Sequence, residues 1–258
     1  MSYKFVSFYL IIVIITTLFF QFVPLPEMLS GQEILLSKIL NQAPGLVFFA
    51  YLLTQIKRIK RADLFILLMA FLFFNILSES YYYFITDENL LLVSILNNII
   101  TYSLLGVIYI KKKVYLAEAN KKVLLYASIL GLILIIGGSF PLAQAYKEYF
   151  TKDKILVITL IIAMSFTIAI VCISFFVDRP LSRSWYKTVI GTILIAMVDI
   201  YVYTSIFGFN SPPVFLFTIG KVLFSLGLLL IVDTVVRKCL AKDSQSIFYK
   251  NSTVFLQK

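Results

Sequence analysis

Four charged side chains lie inside long apolar stretches of this sequence: Lys38, Glu79, Asp199 and Lys221. Placing one charge at the centre of a bilayer costs at least about 2.5 kcal/mol, so such residues usually face a bundle interior or a water-filled cavity. Two carboxylates can also act as acid and base when their surroundings keep one protonated and the other ionised. We therefore predict Glu79 and Asp199 as catalytic residues, with Glu79 as the acid and Asp199 as the base, or the reverse.

Polar residues accompany these charges at the spacing of one helix face. Glu79 has Asn75 four residues before it, and Asp199 has Tyr203 four residues after it. Residues three or four apart lie on one side of a helix, so these polar stripes must face each other or water. At 1.5 Å per residue, the four charges lie about 6 to 12 Å from the ends of their segments that are predicted to face the outer side of the membrane. We expect one polar layer there, with these substrate-binding residues: Lys38, Asn98, Tyr203 and Lys221.

The same polar layer also has a purely structural interpretation, in which two acid–base pairs and some amides hold helices in register. Contacts of this kind are worth only about 0.6 kcal/mol on average, which is small beside the cost of inserting four charges. A polar cavity open towards the outer side explains the charges better. Lys38 could instead be an anchor, since a lysine near a helix end can extend its ammonium group to the headgroups.

The elements that carry these residues are predicted to be membrane-spanning helices. Hydrophobic residues make up 60% of the chain and the mean hydropathy is +0.95, far above a soluble domain. Eight apolar segments each approach the ~20 residues that cross ~30 Å of hydrocarbon. They cover 5–23, 34–55, 63–85, 90–110, 121–143, 155–177, 186–207 and 213–236. The predicted fold is all-α, a polytopic bundle of eight transmembrane helices, in which Gly137, Gly138 and Pro141 loosen the fifth.

The loops between these segments alternate in charge. Those after the second, fourth and sixth segments are basic ("IKRIKR", "KKKVYLAEANKK" and "DRPLSRSWYK"), and the others are acidic, mixed or neutral. Eighteen of the 23 Lys and Arg residues fall on the side of both termini, which the positive-inside rule places in the cytoplasm. We expect an eight-helix transmembrane domain over 1–238 and a short cytoplasmic tail over 239–258. Frequent Ile, Lys and Asn are typical of a bacterial inner (cytoplasmic) membrane protein.

Composition also excludes several classes of function. The net charge of +10 lies in short loops, where it sets topology and contacts anionic lipid, so we expect no nucleic-acid partner. The chain has no histidine and two cysteines that form no CxxC pair, which removes the usual metal ligands. We therefore expect no metal and no cofactor, and hydrolytic chemistry would depend on the carboxylates.

Several short motifs resemble the YhhN family of lysoplasmalogenase-like membrane enzymes, which have eight spans. "LSESYYYF" stands where the third span of that family carries a Gly-Asp motif, so Glu79 replaces an aspartate. "AMVDIYVYTSIF" resembles the seventh span, because Asp199 and Phe207 keep the family's spacing of an aspartate and a phenylalanine. "NQAPGLVFFAYLL" and the "LLLIV" of the last segment resemble the family's second and eighth spans.

The resemblance implies hydrolysis of the vinyl-ether bond of a lysoplasmalogen, a membrane lipid substrate, to a fatty aldehyde and a glycerophospho-alcohol. One carboxylic acid would protonate the vinyl ether, and the other carboxylate would deprotonate the attacking water. Lys38 or Lys221 would hold the phosphate as a point charge.

Three other functions stay open at this stage. Intramembrane charges and spans interrupted by proline or glycine also suit a small-solute or ion-coupled transporter, although no inverted repeat is visible. A relative that keeps the fold could bind lipid without turnover. The segment "TIGKVLFSLGLLLIV" resembles the retinal-binding helix of microbial rhodopsins, with Lys221 in mid-span, but the fourth segment offers no carboxylate as counterion.

Overall fold

A computed structural model describes the backbone of residues 1–22, 31–81, 88–112, 121–208 and 214–240. Side chains are described over 1–19, 42–78, 91–112, 121–207 and 218–240. These residues form eight α-helices and a 3-10 turn at Ile56–Arg58. The helices are Tyr3–Phe22 (α1), Gly31–Gln55 (α2), Ala62–Tyr81 (α3), Glu88–Lys112 (α4), Lys121–Tyr149 (α5), Lys154–Ser174 (α6), Arg183–Gly208 (α7) and Val214–Leu240 (α8). The prediction of an all-α fold is confirmed, and the predicted tail after Leu240 lies outside the described residues.

Five of the described helices are long and apolar enough to cross a membrane, each with 21 to 29 residues. They are Leu91–Lys112, Lys121–Tyr149, Lys154–Ser174, Arg183–Phe207 and Thr218–Leu240. Two further apolar helices, Tyr3–Phe19 and Ala62–Ser78, are shorter over the residues whose side chains are described. At 1.5 Å per residue the five reach the ~30 Å of a hydrocarbon core. The chain therefore has the helices of an integral membrane protein, while eight spans and the side of the termini stay predictions.

Helix α5 differs from its sequence-based prediction. The helix runs without a break to Tyr149, beyond the expected end near residue 143 and through Pro141. A proline inside a helix removes one hydrogen bond and usually bends or breaks it. Here Pro141 is buried, and Gly138 lies directly against the terminal methyl group of Met164 on α6. Close packing on α6 thus supports α5 where its own sequence is weak.

Helices α7 and α8 run antiparallel and their backbones approach each other closely. A methyl group on Gly227 would lie 2.8 Å from the carbonyl oxygen of Gly191, and one on Gly191 would lie 2.9 Å from that of Gly227. Two glycines at the crossing let the backbones touch, as small residues do in membrane bundles. This contact fixes the register of α7 against α8, and with it the heights of Asp199 and Lys221.

Candidate functional site

A cavity lies between α3, α4, α7 and α8. Its volume is about 70 Å³ for the centres of water-sized molecules. One buried water needs roughly 10–15 Å³ by this measure, so the cavity has room for several. Its polar lining residues are Asn75, Ser78, Asn98, Thr101, Tyr102, Asp199, Tyr201 and Lys221. Apolar side chains, among them Phe71, Leu105 and Phe224, form much of the remaining wall.

Asp199 is a buried carboxylate on the wall of this cavity. Its side chain leaves α7 and accepts a hydrogen bond at Oδ2 from the hydroxyl of Tyr102 on α4. Tyr102 is itself buried and lines the same cavity. This tyrosine carries no charge, so its contribution to holding Asp199 is a directional hydrogen bond. A buried hydrogen bond to a charged group holds it more strongly than a neutral pair would.

Asn98 and Tyr203 form a second link between the same two helices. The amide nitrogen Nδ2 of Asn98 lies 2.8 Å from the Tyr203 hydroxyl oxygen and donates to it. Asn98 lies one turn before Tyr102, and Tyr203 one turn after Asp199, so the two links stack along the α4–α7 interface. Asn98 lines the cavity, whereas Tyr203 packs among apolar side chains that include Phe207.

Helix α3 contributes the Asn75 amide and the Ser78 hydroxyl from the opposite side. Asn75 donates to the Phe71 carbonyl at 2.8 Å, and Asn97 of α4 donates to the Phe74 carbonyl at 2.8 Å. Ser78 lines the cavity one turn beyond Phe74. These bonds satisfy amide groups that would be costly to leave unpaired in an apolar bundle.

The structure brings together part of the set predicted from the sequence. One cavity is lined by Asn98, Asp199 and Lys221. Tyr203 is hydrogen-bonded to Asn98. Lys38 lies in α2 and Glu79 in α3, but both side chains lie outside the described set.

A second buried polar cluster, which was not predicted from the sequence, lies at the ends of α4, α7 and α8 away from the cavity. The Lys112 ammonium lies 2.8 Å from Asp178 Oδ2, 3.0 Å from the Thr188 hydroxyl and 3.0 Å from the Thr234 hydroxyl. Its side chain is 0% exposed. Lys112 and Asp178 stand in basic loop sequences, where charges are normally solvated, so their burial left no signal in the sequence.

Asp233 forms a further ion cluster nearby. Its carboxylate accepts hydrogen bonds from the Lys187 ammonium and, at 3.1 Å, from Arg237 Nε. This residue interrupts the apolar run "LLLIVDTVV", and that interruption is a signal from which the sequence analysis could have predicted a buried acid.

The arrangement of the described residues suits acid–base chemistry or the binding of a ligand. Among the described residues, no group of three His, Cys, Asp or Glu side chains could hold a metal ion. One carboxylate, one lysine and several hydroxyl and amide groups surround a cavity whose remaining wall is apolar. Such a lining matches a molecule with one polar end and one apolar end.

Comparison of the chain with protein-family models, with curated proteins and with solved structures gave no match.

Proposed function

We propose that this protein is a membrane-embedded lipid hydrolase that cleaves the vinyl-ether bond of a lysoplasmalogen. The observation that carries the proposal is the buried Asp199 carboxylate on the wall of a cavity that also contains Lys221 and apolar side chains. The motif resemblance around Asp199 and Phe207 supports the choice of reaction. The proposal includes eight spans in a bacterial inner membrane, with both termini in the cytoplasm.

The reaction requires a proton donor and a base. A carboxylic acid, for which we propose Glu79, transfers its proton to the vinyl carbon and leaves an oxocarbenium ion. Water attacks this cation while Asp199 takes the water proton, which gives a hemiacetal. The hemiacetal then breaks its carbon–oxygen bond: its hydroxyl proton returns to Glu79, Asp199 gives its proton to the departing glycerol oxygen, and the products are a fatty aldehyde and a glycerophospho-alcohol. The ionised carboxylates also stabilise the positive charge that develops before water attacks.

The remaining cavity residues would bind and orient the lipid. Lys221 supplies a cation for the phosphate, with Lys38 as a further candidate. Asn98, held by Tyr203, presents an amide to the polar part of the lipid. Phe71, Leu105 and Phe224 form an apolar surface for the alkyl chain.

Aldehyde release from ethanolamine and choline lysoplasmalogens by the purified protein tests the proposal. Acyl lysophospholipids of the same chain length are the control for bond specificity. Asp199→Asn and Glu79→Gln should each reduce the rate by about 100-fold or more, because an acid or base of this kind contributes 10²–10⁴-fold. An inactive wild-type protein on both head groups would refute the assigned reaction and leave a lipid-binding relative or a transporter.

A further inference from the structure

One cavity residue that the proposed mechanism does not use is Tyr201. Its hydroxyl oxygen is buried, and it has no hydrogen-bond partner in the described part of the chain. The same is true of the Thr17 hydroxyl on α1, but Tyr201 lines the cavity. The neighbouring hydroxyls of Tyr102 and Tyr203 are both hydrogen-bonded. A buried polar group without a partner is unfavourable and rare in folded proteins, so this hydroxyl is a candidate to bind a ligand in the cavity.

Tyr201 lies at the α7–α8 side of the cavity, and Lys221 of α8 lines the same cavity. A methyl group on Gly220 would lie 3.9 Å from Tyr201 Cδ1, and Gly220 directly precedes Lys221. Asp199 and Tyr201 are two residues apart, so they leave α7 in different directions and reach the cavity at different points. The cavity wall thus contains a positive charge, on Lys221, and a directional hydrogen-bond donor, the Tyr201 hydroxyl.

We propose that the Tyr201 hydroxyl binds the substrate, donating a hydrogen bond to a phosphate oxygen of a single-chain glycerophospholipid whose charge is balanced by Lys221. The inference rests on the proposed function, since it assigns the headgroup end of that same cavity. Asp199 and Tyr201 then divide the cavity into a reacting part and a headgroup part.

Tyr201→Phe tests the inference because it removes only the unpartnered hydroxyl. Binding is measured with a saturated alkyl-ether lysophospholipid, which lacks the vinyl bond and therefore stays intact whether or not the protein is a hydrolase. The dissociation constant should rise about 10- to 150-fold, the range expected for one hydrogen bond to a charged acceptor. The lipid-free protein should unfold at the same temperature as the wild type or higher, because the Tyr201 hydroxyl makes no hydrogen bond to the described part of the chain.

Tyr203→Phe is the matched control, since that hydroxyl accepts the Asn98 hydrogen bond at 2.8 Å. This variant should lower the unfolding temperature of the lipid-free protein. Inorganic phosphate and glycerol 3-phosphate serve as probes without an alkyl chain. Weak binding of both, against clear binding of the lysolipid, supports a lipid as the source of the phosphate.

The outcomes separate the inference from the proposed function. Lysolipid binding that is equal in the wild type and in Tyr201→Phe would overturn the inference alone. A loss of lipid-free stability in Tyr201→Phe equal to that in Tyr203→Phe would also overturn it, because the hydroxyl would then be structural. Tight Tyr201-dependent binding of the chainless phosphates would overturn the lipid assignment. A wild-type protein that binds no lysolipid would refute both proposals.

Discussion

Replacing Lys112 by methionine should destabilise the protein strongly, although the residue stands in a run of three lysines. The ammonium group has three N–H donors, and the structure gives it three acceptors, on Asp178, Thr188 and Thr234. Methionine preserves much of the length of the side chain and removes only the charged end. The substitution therefore isolates the ion pair and its hydrogen bonds from the packing of the stem.

The magnitude follows from what the substitution leaves behind. Asp178 would keep hydrogen bonds from the Ser184 hydroxyl at 2.9 Å and the Thr188 hydroxyl at 3.1 Å, but would lose its only counter-charge within the cluster. Breaking one side of a buried ion pair costs about 3–5 kcal/mol, mostly because the other charge is left uncompensated. We expect a loss of unfolding free energy in this range.

Lys111→Met is the matched control, because it makes the same change one residue earlier. Lys111 pairs with Asp63 at 3.0 Å, but the two side chains are 41% and 44% exposed. Exposed pairs are worth about 0–1 kcal/mol, so this variant should be nearly neutral. The assay is reversible unfolding of the purified protein in detergent micelles, followed by helix content.

A double-mutant cycle adds Asp178→Asn and the double variant Lys112→Met/Asp178→Asn. Since both single changes leave one buried partner without the other, the double variant should lose less stability than the sum of the two. A coupling free energy of about 2–3 kcal/mol is expected, at the upper end for residues in contact. If Lys112→Met loses no more unfolding free energy than Lys111→Met, or if the coupling free energy is near zero, the buried ion pair does not stabilise the protein as expected.

Two further predictions concern the helices around the cavity. Gly227→Ala should lower the unfolding free energy by several kcal/mol, because its methyl group would lie 2.8 Å from the backbone of Gly191. The methyl group of Gly220→Ala would meet its nearest atom at 3.7 Å, so this variant should fold normally. It should weaken lysolipid binding, because the methyl group fills cavity space. Equal unfolding midpoints for the two alanine variants would contradict this. Tyr102→Phe should cost about 1.5–3 kcal/mol of stability, as expected for a hydrogen bond to a charged acceptor. Asp199→Asn should cost less, since the amide oxygen can still accept from the Tyr102 hydroxyl, and the opposite order would refute the assignment of donor and acceptor.

Much of the helical architecture is predictable from the sequence, because each long apolar run can satisfy its backbone in a membrane only as a helix. At most helix ends, the described helices agree with the predicted segments to within a few residues. The largest difference is at α5, where Pro141 suggested an earlier end and packing of Gly138 on Met164 supports a longer helix. Propensity along one chain does not contain that tertiary contact.

The cavity is only partly predictable. Asp199, Lys221 and Asn98 are conspicuous because charge and amide groups are costly in an apolar segment, and the structure places all three at one cavity. Tyr102 and Tyr201 carry no such signal, since tyrosine is common in apolar helices for packing reasons alone. Which hydroxyl is bonded and which is unpartnered depends on side-chain geometry across α4, α7 and α8, and spacing along the sequence does not determine it.

We propose that the carboxylate of Asp199 takes part in cleaving a lysoplasmalogen in this cavity. The most direct measurement compares the maximal rate of aldehyde release by the wild type, Asp199→Asn and Glu148→Gln, all reconstituted in the same lipid vesicles. Glu148 is an exposed carboxylate near the end of α5 and serves as the matched control. We expect a rate near that of the wild type for Glu148→Gln and a loss of about 100-fold or more for Asp199→Asn with its helix content unchanged. An Asp199→Asn protein that releases aldehyde at the wild-type rate would contradict the proposal.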